Sequence, residues 1–189
     1  MKRGKMKKQK IIAIIGPIAS GKGTAADFFV KKYKFKKITM SDFLRQEARR
    51  RKVHPTRIYF RKLQKELREK LGQNILVEMA RKKISENPEK NFVIDGLRDY
   101  REAKYAKKKF KLKIILIDAD PSVRFRRQKE RHRKGFSQTY IKFLHEDAVE
   151  NAIFDFHKTK ELADFKIFSD KGREYLHKEL GKLKRKLKI

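Results

Sequence analysis

Short, continuously apolar runs alternate along this chain with longer segments in which apolar residues recur every three or four positions. The apolar runs are IIAII (Ile11–Ile15), 91–94, 113–117 and 163–168, each bounded by charged or turn residues, and a short run over 35–39 is read with them. Such runs read as strands buried on both faces. Between them, 22–33 places Ala25, Phe28, Phe29 and Tyr33 on one helical face, and 42–86 reads as mainly helical with breaks at Val53-His54-Pro55 and at Gly72. Helices are also expected over 99–110, from Asp120-Pro121 onward, over 140–160, and after the last strand. Five β-runs separated by helices predict an α/β fold: a parallel sheet covered on both faces.

Composition narrows the picture. A chain of 189 residues fits one domain with a real core. With no cysteine, disulfide scaffolds, thiolate zinc sites and thiol catalysis are excluded, and the five histidines show no metal-ligand spacing. No stretch approaches the about 20 apolar residues of a membrane span, and the basic start MKRGKMKKQK leads into a strand-like run without a cleavage-type site. A cytoplasmic protein with no membrane partner is expected. Lys and Arg number 54 against 23 Asp and Glu, a formal charge of +31. That charge attracts polyanions, and non-specific nucleic-acid binding at low salt is expected from it.

Directly after the first run stands GPIASGKGT (16–24), which satisfies GxxxxGK between a strand and a helix. Its residues Gly16, Pro17, Ile18, Ala19, Ser20, Gly21, Lys22, Gly23 and Thr24 form a phosphate-binding loop in which backbone N–H groups and the helix N-terminus face the phosphates. Lys22 reaches the β- and γ-phosphates. The usual hydroxyl after the lysine is replaced by Gly23, so Thr24 must supply it near Mg²⁺.

Lys-Gly-Thr at this point resembles adenylate kinase and the other nucleoside monophosphate kinases, and four further segments carry the likeness. TMSDFLRQE (39–47) is similar to the start of the family's acceptor-binding helix, which implies that Asp42 and Arg45 meet the acceptor. FVIDGLRD (92–99) looks like the strand ending in Asp-Gly, which implies Asp95 near Mg²⁺ and its waters and Arg98 on the acceptor phosphate. In this chain the arginine comes one residue earlier than in adenylate kinase. DADPSVRFRRQKER (118–131) matches the entry to a lid, implying Arg127 and Arg131 as catalytic lid arginines with Arg127 also on ATP. ADFKIFSDKG (163–172) is similar to the last strand and base-contacting loop, implying Asp170 and Gly172 at the nucleotide. Glu102 stands where adenylate kinase has a base-reading glutamine; it could read a guanine N–H edge or equally pair with Arg98 or Lys104. Overall the chain most resembles archaeal adenylate-kinase-related, dephospho-CoA-kinase-like proteins.

The resemblance implies a three-layer α/β/α P-loop NTPase fold. Its parts would be a five-stranded parallel sheet, a helical acceptor-binding insertion over about 40–86, a short lid over about 124–140, and basic tails at 1–9 and 182–189. The implied activity is a kinase using ATP and Mg²⁺ on a nucleotide donor and a small phosphorylated acceptor. From 126 to 134 no apolar residue occurs, while Arg124, Arg127 and Arg131 share one helical face. That helix end is expected to be solvated or to grip anions as a lid, and not to enter the core. Two alternatives draw on the same residues: a nucleic-acid-associated ATPase or polynucleotide 5′-kinase, and a regulatory nucleotide-binding protein.

Overall fold

A computed structural model describes residues 9–54, 56–131 and 138–189. Its centre is a parallel sheet of β1 (Ile11–Ile15), β2 (Lys36–Thr39), β3 (Phe92–Asp95), β4 (Lys113–Asp118) and β5 (Phe165–Phe168), ordered β2-β3-β1-β4-β5. β1 lies between β3 and β4, with Ile14 beside Asp95 on one side and beside Ile115 on the other. The crevice at its carboxyl end is thus where chain direction across the sheet reverses, the position at which open α/β sheets bind ligands.

Side chains alternate across a strand, and this divides the apolar runs between two cores. Ala13, Ile15, Ile94, Ile114 and Leu116 face one core, and Ile12, Ile14, Val93, Ile115 and Ile117 the other. The first core is closed by α2 (Met40–Arg50), α3 (Arg57–Leu71), α4 (Ile75–Ser85) and α5 (Tyr100–Phe110) through Phe43, Leu63, Leu76 and Ala103. The second is closed by α1 (Lys22–Tyr33) and α9 (Arg173–Lys182) through Phe29, Leu176 and Leu180. Burying Phe29 completely makes it a main anchor of α1; truncating such a ring costs about 3–5 kcal/mol.

The expected breaks in 42–86 occur between α2 and α3 and at Gly72, although Pro55 itself lies outside the described residues. Two expectations are corrected. The single helix expected over 140–160 is divided into α7 (Tyr140–Phe154) and α8 (Phe156–Glu161) by Asp155 in the left-handed region (φ 47°). Phe154 and Phe156 are both buried in the first core, whereas in one continuous helix two residues only two apart point to well-separated faces. Residues 182–189 are no free tail: Leu183 and Leu187, the latter in α10 (Lys184–Leu187), are buried in the second core. Their apolar side chains outweigh the surrounding lysines in placing the backbone. Residues 1–8 of the other expected tail lie outside the described residues. Among the described residues no helix is long and apolar enough to cross a membrane.

Candidate active site

The loop after β1 turns so tightly that Gly16, at φ +155°, approaches the Ile117 carbonyl; a Cβ there would stand 2.1 Å from that oxygen. Gly21, at φ +97°, opens α1, which has no side-chain cap and no acidic residue in its first turn. The first amides of α1 therefore keep their positive end for an anion. By contrast, Asp99 caps α5, accepting from the N–H groups of Arg101 (2.9 Å) and Glu102 (3.3 Å). Lys22 Nζ donates to the Pro17 carbonyl at 2.5 Å, folded back on its own loop. Desolvation first, then Arg98, lowers the Lys22 pKa to about 7, while Asp95 and Glu150 pull the other way. A phosphate would replace the missing counter-charge and hold the ammonium protonated.

Behind the loop, α6 (Pro121–Glu130) supplies the scaffold. Arg124 is 4% exposed; it makes paired 2.8 Å bonds to Asp147 of α7 and donates to the carbonyls of Ala119 and Ile18. The expectation for this helix end is corrected at Arg124 and Gln128, which are buried, whereas Arg126, Lys129, Glu130 and Arg131 stay exposed. A bidentate carboxylate and two carbonyls satisfy the guanidinium fork, so its charge can be buried. Arg127 donates to Ser169 Oγ (2.8 Å) and to the Ser169 carbonyl (2.6 Å), and Ser169 Oγ donates to the Ser20 carbonyl (2.7 Å). Arg127 thus braces the phosphate loop from behind through Ser169 and is not part of the cleft lining.

In front of the loop opens a cleft of about 1070 Å³. Its lining combines Ile18, Ala19, Lys22, Gly23 and Thr24 of the phosphate loop with Met40, Leu44, Arg45, Arg61 and Gln64 of α2 and α3. Asp95 at the end of β3, Arg98 just after it, and Arg131 also line the cleft. Arg45 Nη1 donates to Ser41 Oγ (2.9 Å) and to Asp42 (2.5 Å), so Asp42 orients the arginine while remaining off the cleft surface itself. Lys37 of β2 stands between Asp27 (3.0 Å) and Asp95 (3.6 Å). The Thr24 hydroxyl and the carboxylates of Asp27 and Asp95 on the cleft wall are hard oxygen donors, which fit Mg²⁺, an ion usually held by one or two carboxylates together with substrate phosphates. Among the described residues no three His, Asp or Glu side chains form a metal cage of their own.

Three residues assigned to ligands by resemblance have other surroundings. Glu102 is 2% exposed and is bound by Arg68 of α3 (3.1 Å), with Asp99 beside the same guanidinium (3.3 Å); neither Arg98 nor Lys104 is its partner. Burial raises its pKa to about 7 against the opposing pull of Arg68. It does not line the cleft, because α5 turns that face toward α3. Asp170 accepts from the Asp120 N–H (2.7 Å) and Gly172 opens α9, so both shape the turn after β5 away from the cleft lining. Of the expected lid, residues 132–137 lie outside the described residues.

Sequence reasoning missed Arg61, Lys37, Asp147 and Glu150. One signal was present: α7 carries Glu146, Asp147 and Glu150 against a single lysine, in a chain of charge +31. Acidic residues gathered on one helix of so basic a chain mark where its arginines are held.

The parallel sheet, the glycine loop and the uncapped α1 define a P-loop nucleotide-binding protein of kinase-like fold. A family model described as an AAA domain matches residues 15–142. The UPF0200 protein of Methanocaldococcus jannaschii is 31% identical over 166 residues, covering 87% of this chain and 83% of the relative. The chain belongs to this AAA-domain family and to the UPF0200 proteins. Among solved structures, shikimate kinase from Bacteroides thetaiotaomicron superposes with a TM-score of 0.58 at 18% identity, covering 95% of this chain and 99% of its own. A Thermus thermophilus protein does so with a TM-score of 0.64 at 21% identity, covering 96% and 99%. Both likenesses establish the fold.

Proposed function

We propose that the protein is an ATP-dependent phosphotransferase that moves the γ-phosphoryl group to a small phosphorylated acceptor of the nucleoside monophosphate or dephospho-CoA kind. The observation that carries this reading is the cleft, whose lining joins Lys22 and Thr24 of the phosphate loop with Arg45 of α2 and with Asp95 and Arg98. In a loose phosphoryl-transfer transition state the protein's work is alignment and charge neutralisation. Lys22 and the amides of α1 hold the donor phosphates. Arg45 and Arg98, planar forks suited to bidentate phosphate contact, hold the acceptor in line. An acceptor oxygen then bonds to the γ-phosphorus as the bond to the β–γ bridging oxygen breaks, and the nucleoside diphosphate leaves with that electron pair. Thr24 and Asp95 would hold Mg²⁺, which when bound neutralises charge on the transferring phosphates. In this reading α2 to α4 form the acceptor-binding arm of a single kinase unit.

The test is nucleoside diphosphate release from Mg-ATP over a panel of nucleoside monophosphates, their deoxy forms, dephospho-CoA and 5′-hydroxyl RNA. Stimulation by one small phosphorylated acceptor is expected. Turnover that requires RNA would replace this reading with the polynucleotide one.

A further inference from the structure

Resting on that reading, the surroundings of Glu150 sharpen what the acceptor must carry. Glu150 Oε2 accepts from Arg98 Nη1 at 2.5 Å, and its Oε1 lies 3.8 Å from Arg61 Nη2. Arg98 follows β3 and Arg61 belongs to α3, so two guanidinium groups from separate walls of the cleft converge on the two oxygens of one carboxylate. Two forks around a pair of anionic oxygens are the arrangement a phosphate would require. The exposures are unequal in an informative way: the Glu150 side chain is 14% exposed, whereas Arg98 and Arg61 are 36% and 31% exposed. The carboxylate is thus the shielded partner, and the cations are open to the cleft. Its backbone is held independently, because Asp147, one turn earlier on α7, is fixed by Arg124.

We infer that Glu150 is an internal stand-in for the acceptor's anionic group: it occupies the subsite between Arg61 and Arg98 and yields it to a phosphate monoester. Arg61 then joins Arg45 and Arg98 as an acceptor-binding residue. A single-charged carboxylate on the acceptor gains nothing over Glu150, which is already in place. A phosphate monoester, carrying about −1.5 to −2 at neutral pH, binds the two forks more strongly and displaces it. The stand-in therefore selects phosphorylated acceptors over carboxylic acids, and it keeps two like charges compensated when no acceptor is present. Self-occupancy also weakens binding: if the arginines are available in about one molecule in ten to one in a hundred, apparent affinity falls by that same factor.

Calorimetric titration with inorganic phosphate tests this without any phosphoryl transfer. Glu150→Gln removes the charge, and Glu150→Asp keeps the charge but shortens the reach. Both should tighten the phosphate site that needs Arg61 and Arg98 by about tenfold, and in Glu150→Asp, which keeps the charge that supports Lys22, the phosphate loop's own affinity should not change. The gain should vanish in Glu150→Gln/Arg61→Ala and in Glu150→Gln/Arg98→Ala, as a coupled contact requires. A gain in Glu150→Gln alone would reveal a general charge effect and overturn the inference, as would no gain in either single variant or a gain that survives loss of either arginine. Failure of the kinase reading would look different: no turnover with any acceptor, whatever the phosphate titration gives.

Discussion

The two walls of the cleft are built on opposite plans. The phosphate-loop wall comes from consecutive residues braced from behind by the buried Arg124, on Asp147 and the Ile18 carbonyl, and by the half-buried Arg127 on the buried Ser169. The opposite wall is assembled from α2, α3 and the end of β3, and its arginines are more exposed: Arg45, paired with Asp42, is 43% exposed, and Arg98 and Arg61, on the shielded Glu150, are 36% and 31% exposed. Exposed pairs such as Arg45 with Asp42 contribute about 0–1 kcal/mol each, whereas breaking a buried pair costs about 3–5 kcal/mol. The most buried arginine that braces the cleft, Arg124, stands behind the phosphate loop, while α3 has its own buried cluster, Arg68 with Asp99 and Glu102, on the side turned away from the cleft. The acceptor side carries its charges where a ligand can compete for their partners.

The sharpest way to break this contrast is to remove one buried support. Arg124→Ala leaves Asp147 shielded and uncompensated and should cost about 3–5 kcal/mol in denaturant unfolding, while Arg45→Ala should cost no more than about 1 kcal/mol. Similar losses from both would show that the two walls are equally anchored. Next in size, Lys22→Ala should reduce turnover by about 10² or more with thermal unfolding little changed; unaltered turnover would remove the phosphate loop from the mechanism. Arg98→Ala and Arg45→Ala should weaken acceptor binding by roughly 10- to 100-fold, the scale of a lost hydrogen bond to a charged group, and change KM for ATP far less. Equal effects on both ligands would contradict the division of the walls.

The smallest effect concerns Glu102. Its folded pKa of about 7 lies above its ordinary value of 4.5, so between those values the folded chain holds a proton that the unfolded chain has lost. Stability from this group is therefore present below about pH 4.5 and lost as pH rises through about 7. Glu102→Gln should remove that slope, with melting curves converging in acid and the variant gaining on the parent near pH 7.5. Acceptor preference should not change, and a switch between guanine and adenine acceptors would restore a base-reading role for Glu102.

How much of this was legible differs between the walls for the same reason. The phosphate loop is local: glycine spacing, an apolar strand before it and a helix after it are all visible within 11–33. All five strands were likewise legible: β1, β3 and β4, buried on both faces, leave nearly unbroken apolar runs, while the edge strands β2 and β5 carry exposed lysines and bury only Ile38 and Ile167. Arg124 misled, since a charged residue on a polar helix gives no sign that the Asp147 carboxylate, 23 residues later, lies 2.8 Å from its guanidinium. Glu102 misled in the same manner, because its partner Arg68 is 34 residues earlier and meets it only when α3 packs on α5. Leu183 and Leu187 were hidden by the lysines around them. Tertiary pairing of charges accounts for the first two departures and burial of two isolated leucines for the third, and neither is encoded locally in one sequence.

The most direct measurement follows the γ-phosphate itself. ATP labelled at the γ-position should be incubated with Mg²⁺, the preferred small acceptor and moderate salt, where non-specific polyanion binding is suppressed. The label should appear covalently on the acceptor in step with diphosphate formation, and it should be lost in Lys22→Ala. Label released only as inorganic phosphate, or transferred only when nucleic acid is present, would contradict a cleft built to join a nucleotide donor to a small phosphorylated acceptor.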